Sequence, residues 1–169
     1  KICHYLDLPI QHASDEVLKR MGRRTSKAEL IDIIGRLRRE IPDICLRTTL
    51  ITGFQGETQK QHEELMEFVD EMEFDRLGVF TYSAEEDTPA AAMPGQIDEE
   101  VKLDRQAELM ELQQEIAFDN AEYMVGREVL VMVEGKVADE NAYVGRTYRD
   151  APNVDGLIFI NTDAELLSG

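Results

Sequence analysis

The densest run of residues able to do chemistry is Leu46-Arg47-Thr48-Thr49-Leu50-Ile51-Thr52-Gly53-Phe54-Gln55-Gly56-Glu57-Thr58. Its first half is β-branched and apolar, which suits a strand buried on both faces of a parallel sheet. Gly53 and Gly56 bracket a turn, and Thr58 stands three residues before Gln61, the spacing of a capping box that opens a helix. Strand, glycine turn and helix N-terminus in series place a ligand at the carboxyl edge of an α/β sheet. Glycine lets a backbone close on a ligand, and free N–H groups of a first helical turn favour anionic oxygens. An ordinary βα connection has the same pattern, so the turn needs other residues beside it to carry a ligand.

Arg47 is one such residue. An arginine in a buried strand needs a partner. Either it pairs with an internal carboxylate, or it points inward and holds a ligand carboxylate through both guanidinium nitrogens. Gln11 and His12 end an earlier strand. His12 reads as a solvated or hydrogen-bonded loop histidine, with a catalytic base as its rival, and nothing near it in sequence pairs with it. Glu57 reads as a favourable first-turn acid, Glu85-Glu86-Asp87 as a solvated loop on the same edge, His62 as a surface residue and the methionines as core. No Ser-His-Asp spacing, Walker loop, HExxH or CxxC occurs, so the chain holds no self-sufficient catalytic apparatus. Cys3 and Cys45 are too few for a disulfide framework or a zinc site, so no metal ligands are assigned and reduced thiols in a cytoplasmic protein are expected.

The elements that must position these residues follow from periodicity. A strand spans Ile2 to Gln11, with Pro9 near its end. Ser14 caps a short helix from Asp15 to Met21. Ser26 and Glu29 form a second capping box, and Leu30, Ile31, Ile34 and Leu37 recur at helical spacing to about Arg39. The central strand follows, then a helix from Thr58 to about Met72 burying Leu65, Met66, Val69 and Met72, then a strand from Arg76 to Tyr82. The order β-α-α-β-α-β calls for parallel strands and right-handed crossovers. Three strands cannot close a barrel, and an exposed parallel edge is unfavourable, so further strands are expected upstream of Lys1, in a longer protein.

Ser83 to Gln96 is a loop rich in Ala, Pro and Gly. Asp98 caps a long helix running to about Tyr123, with Val101, Leu109, Leu112 and Ile116 as its apolar seam and a bridging role between two modules. Beyond Val125, short strands at Glu128–Val133, Tyr143–Tyr148 and Leu157–Ile160, with a turn at Gly135–Asn141, suggest a small antiparallel barrel short of closure. The expected division is 1–96, 97–123 and 124–169.

The chain has 169 residues, 43% apolar and 31% charged, a soluble globular composition, and a formal net charge of −17. That field opposes phosphate backbones and favours a basic partner, although solubility alone also selects acidic surfaces. No apolar run approaches the roughly 18–20 residues of a membrane span.

Leu8-Pro9-Ile10-Gln11-His12-Ala13-Ser14-Asp15, with Val17-Leu18-Lys19, Met21 and Arg23, resembles the fourth-strand segment of the radical S-adenosylmethionine methylthiotransferases. Thr49 to Thr58 is similar to that family's fifth-strand motif T-x-I-V-G-F-P-G-E-T, with Thr52 and Gln55 as departures. Phe74 to Ser83, with Glu86, Thr88 and Pro89, continues the likeness, and Leu109 to Ile116 resembles the family's bridging helix. Gly145-Arg146-Thr147, Asp150-Ala151-Pro152 and Val154-Asp155-Gly156 resemble the TRAM domain of the ribosomal-protein branch.

The resemblance implies the C-terminal half of a partial, open radical-SAM TIM-like barrel, a bridging helix, and an incomplete TRAM barrel. It also implies methylthiolation of the β-carbon of an aspartate on a basic small-subunit ribosomal protein. It places Gln11, Arg47, Thr49, Gly53 and Phe80 around S-adenosylmethionine, with Arg47 on a carboxylate, and the partner contact at Arg146, Asp150 and Asp155. Two 4Fe–4S clusters belong to the full-length family, one cleaving S-adenosylmethionine to a 5′-deoxyadenosyl radical and one handling sulfur. Their C-x-x-x-C-x-x-C ligand motif is not in this chain, which is therefore expected to be inactive alone. The rival readings are the tRNA-modifying branch of the same family and a non-catalytic acidic module docking a basic protein.

Overall fold

A computed structural model describes residues 2–169. The alternation of Leu46, Thr48, Leu50 and Thr52 with Arg47, Thr49 and Ile51 makes β2 (Cys45–Thr52) a strand whose first set is wholly buried and whose second is half-exposed. β3 (Arg76–Thr81) pairs with it in parallel, from Arg47 opposite Arg76 to Thr52 opposite Thr81. β1 (Tyr5–Asp7) flanks β2 on the other side. The first strand is thus shorter than the expected Ile2–Gln11. Pro9 has no N–H to give, so the ladder lapses after Leu8 N–H donates to Arg47 O at 2.8 Å. It resumes at Gln11, whose N–H donates to Thr49 O at 2.9 Å and whose carbonyl accepts from Ile51 N–H at 2.8 Å.

Helices cover one face of this sheet: α1 (Asp15–Arg20), α2 (Lys27–Glu40), α3 (Gln59–Met72) and α4 (Glu99–Tyr123). Leu18, Leu30, Ile34, Leu65, Phe68, Val69, Leu109 and Ile116 meet Ile10, Leu46, Leu50 and Val79 in one apolar core. Each such side chain contributes about 1.5–3 kcal/mol by leaving water. Both capping boxes form, Ser26 with Glu29 and Thr58 with Gln61. Ser14 occupies the N-cap of α1, but its side chain makes no capping bond; its N–H donates to His12 Nδ1 at 2.9 Å instead.

The seam of α4 differs from the apolar one expected. Val101 is exposed, and the buried face reads Lys102, Arg105, Leu109, Gln113 and Ile116. These polar side chains end on backbone carbonyls. Lys102 Nζ donates to Tyr82 O at 3.0 Å and Gln113 Nε2 to Phe74 O at 2.8 Å, and beside them the half-buried Gln106 Nε2 donates to Val79 O at 2.6 Å. A strand edge leaves such groups unpaired, and α4 answers that cost with side-chain amides.

Residues 2–5 and Met124–Gly169 form a separate compact unit, the remainder being Leu6–Tyr123. In the smaller unit β4 (Met132–Lys136), β5 (Ala142–Arg146) and β6 (Ile158–Asn161) make an antiparallel sheet in that order. Its first strand lies later than the expected Glu128–Val133, because Gly135 and Lys136 pair with Val144 and Tyr143 after a register shift at Val133. A Cβ at Gly145 would lie 2.7 Å from Met132 O, so this close strand approach requires glycine. Among the described residues, no helix is long and apolar enough to cross a membrane.

Candidate functional site

The face of the larger sheet opposite the helices carries Arg47, Thr49 and Ile51 from β2 and their register partners Arg76, Gly78 and Phe80 from β3. Gln11 borders β2 at the register of the core residue Leu50, held at φ 74, a left-handed backbone uncommon for a side-chain-bearing residue. Phe80 is 59% exposed, unusual for an aromatic in a strand. A Cβ built on Gly78 would lie 3.7 Å from Phe80 Cε2 and 3.8 Å from Arg47 Nη2, so both side chains lean over that glycine. Arg47 pairs with Asp7 of β1, Nη1 to Oδ2 at 2.6 Å. The sheet therefore brings Arg47, Thr49 and Phe80 to one surface, a mixture of an aromatic ring, a guanidinium and a hydroxyl that suits a nucleoside bearing a carboxylate.

Gly53 is placed differently. Its φ of 72 and that of Gly56, 69, require glycine-like backbone, and a Cβ at Gly53 would strike Lys102 Cγ at 2.3 Å. Its open side thus receives α4. Three N–H groups of the turn are committed within the protein: Gly53 and Phe54 donate to Glu57 Oε2, and Gly56 donates to Gly95 O at 2.7 Å. Phe54 packs edge-on against Tyr82, ring centres 5.0 Å apart, and Gln55 Nε2 reaches Ala90 O at 2.7 Å, so the loop after β3 closes over the turn.

Glu57, expected as a first-turn acid, is instead the centre of a buried polar cluster. Oε1 faces Arg105 Nη1 at 3.4 Å, His62 Nδ1 at 3.8 Å and His12 Nε2 at 3.9 Å. Burial alone would raise its pKa, but the adjoining His12, the Arg105 guanidinium and the Gly53 N–H together hold it below the ordinary 4.5. His12 is fully buried, so of the solvated and hydrogen-bonded readings the second is the one that holds. Its Nδ1 accepts the Ser14 N–H, which leaves its proton on Nε2, toward Glu57. His62 is buried too, contrary to the surface reading, with Nε2 2.6 Å from Glu108 Oε2. Sequence reasoning missed this cluster because its members lie up to 93 positions apart, from His12 to Arg105. Gly78, a glycine inside a strand, was a legible signal of close approach on the open face.

In the smaller unit Arg146 pairs with Glu134, Nε to Oε1 at 2.7 Å. Asp150 is buried and accepts from Thr147 N–H and Oγ1, at 3.2 and 2.8 Å, while Asp155 accepts from Ala151 N–H at 2.7 Å and Tyr5 O–H at 2.8 Å. Both aspartates thus shape the loop between β5 and β6. Cys3 is exposed and Cys45 buried, and among the described residues no group of three or more His, Cys, Asp or Glu is placed to hold a metal.

Residues 1–69 match the Radical SAM superfamily, and residues 125–169 match the TRAM domain. Over all of its length the chain is 65% identical to the ribosomal protein uS12 methylthiotransferase RimO of Lachnoclostridium phytofermentans, and 51% identical to proteins of that name from Pelotomaculum thermopropionicum and Clostridium botulinum. It spans 38% of each of these relatives. Among solved structures, coproporphyrinogen III oxidase (HemN) of Escherichia coli, a radical SAM enzyme, superposes with a TM-score of 0.57 over 86% of this chain and 41% of that one, at 16% identity, a likeness of fold.

Proposed function

Because this chain belongs to the radical S-adenosylmethionine methylthiotransferase family, we propose that its full-length protein methylthiolates the ribosomal protein uS12, at the β-carbon of an aspartate. The observation that carries this reading is the 65% identity, over an alignment that spans both the sheet and the TRAM domain, to a relative named for that activity. The acidity of the smaller unit supports a basic protein partner over RNA.

The uncovered sheet face is the proposed wall for S-adenosylmethionine, which when bound supplies hydrogen-atom abstraction. Phe80 offers a ring for the base, Gln11 and Thr49 offer polar groups for the ribose, and Arg47 offers a guanidinium for the carboxylate. Gly53 contributes through the placement of the turn. The two 4Fe–4S clusters of the proposed enzyme do not fit the residues described here, so no step is assigned to them. Arg146, Asp150 and Asp155 are proposed to present the β5–β6 loop to the ribosomal protein, Arg146 directly and the two aspartates by shaping it. The divisions 1–96, 97–123 and 124–169 and a cytoplasmic location belong to the same reading.

The test is mass spectrometry of purified uS12 and of tRNA after incubation with the full-length holoenzyme, S-adenosylmethionine, reductant and a sulfur source. A methylthio mass increment on uS12 alone is expected; an increment on tRNA alone, or on neither, overturns the proposal.

A further inference from the structure

α4 does more than cover the β3 edge. Leu109, Ile116, Gln106 and Gln113 already dock it, yet it also buries Arg105, a group costly to strip of water unless its partner is close. Arg105 Nη1 donates to Glu57 O at 3.2 Å and stands 3.4 Å from Glu57 Oε1. The other oxygen of that carboxylate holds the N–H groups of Gly53 and Phe54. Rotation of the carboxylate would release both donors. What opposes rotation is the side of Oε1: Arg105 in front, His12 and His62 at its flanks, and His62 itself tied to Glu108 of the same helix. His12 adjoins Gln11 in the chain, so the cluster touches both ends of the proposed cofactor wall.

We infer that Arg105 is a positioning residue for cofactor binding: by orienting the Glu57 carboxylate it fixes the Gly53–Phe54 turn and, through His12, the backbone at Gln11. The inference rests on the cofactor reading above. It makes α4, a helix on the outer side of the sheet, part of the apparatus that shapes the inner one.

The test uses the full-length holoenzyme with Arg105→Gln, Arg105→Lys, Glu57→Gln and the Glu57→Gln/Arg105→Gln pair. S-adenosylmethionine affinity is measured by equilibrium dialysis, and amide exchange is followed at Gly53 and Phe54 with α2 as reference. Arg105→Gln is expected to weaken binding about tenfold, close to 1.4 kcal/mol, and to speed exchange at Gly53 and Phe54 while α2 is unchanged. Arg105→Lys should fall between, Glu57→Gln should match the loss, and adding Arg105→Gln to it should cost less than about twofold more. Unchanged affinity, equal loosening of α2, or additive losses would overturn the inference. Should Arg105→Gln fail to fold, Arg105→Lys decides: selective loosening of Gly53 and Phe54 upholds the role, and uniform exchange sinks it. A wild-type holoenzyme that does not bind S-adenosylmethionine refutes the cofactor reading instead, and the exchange pattern still decides what Arg105 does.

Discussion

Gly53→Ala separates two reasons for glycine that usually travel together. At φ 72 an alanine meets the left-handed penalty, about 1–2 kcal/mol. Its methyl would also lie 2.3 Å from Lys102 Cγ and 3.1 Å from Cβ and Cδ, a stem that cannot swing away because Nζ is held by Tyr82 O and Glu99. Overpacking of this kind costs about 1–3 kcal/mol, for a total near 2–5 kcal/mol. Gly22 supplies the control: its φ is 74 and nothing lies within 4 Å of an added methyl, so Gly22→Ala should cost only the backbone part. Urea denaturation followed by far-ultraviolet circular dichroism reports this unit, since all four helices belong to it. In a Lys102→Ala background the excess of Gly53→Ala over Gly22→Ala should largely vanish. If Gly53→Ala costs no more than Gly22→Ala in the unaltered chain, the assignment of Gly53 to helix docking is wrong.

On the open face, Phe80→Ala and Arg47→Ala should each weaken S-adenosylmethionine binding by the full-length enzyme about tenfold or more, while the exposed Phe80 position leaves the melting temperature nearly unchanged; unaltered binding in both would remove this surface from the cofactor. The depressed pKa of Glu57 makes a pH prediction. The carboxylate contributes stability above its ordinary 4.5, and that contribution fades as pH falls through the lower folded-state value. Glu57→Gln should therefore flatten the acid limb of stability against pH, as read by denaturation midpoints from neutral pH downward, and an equally steep limb would contradict it. Asp150→Ala should destabilise the smaller unit by about 1–3 kcal/mol, because Thr147 N–H loses its acceptor; hydrogen exchange confined to Met124–Gly169 measures it.

Local signals were legible and distant ones were not. The Ser26 and Thr58 boxes form as read, because a capping box needs only residues three apart. The β-branched run of β2 reads as a strand buried on both faces, but only the set Leu46, Thr48, Leu50 and Thr52 is buried, and Arg47, Thr49 and Ile51 stay half-exposed because the helices pack on one side alone. Lys102, Arg105 and Gln113 escaped because polarity at helical spacing reads as solvent exposure, while their actual targets are carbonyls 20, 48 and 39 residues earlier. His12 and His62 escaped because the carboxylate they share, Glu57, follows a different strand from His12 and precedes the helix that carries His62. The first strand and β4 were misplaced where one Pro and one register shift altered the pairing.

The amide that Gln106 extends to Val79 O gives the larger sheet a direction of growth. With that carbonyl taken by a side chain, a strand approaching the β3 flank meets one acceptor fewer, and the β1 flank is the less obstructed side for pairing. A larger sheet assembled on these three strands would therefore extend more readily beyond β1 than beyond β3.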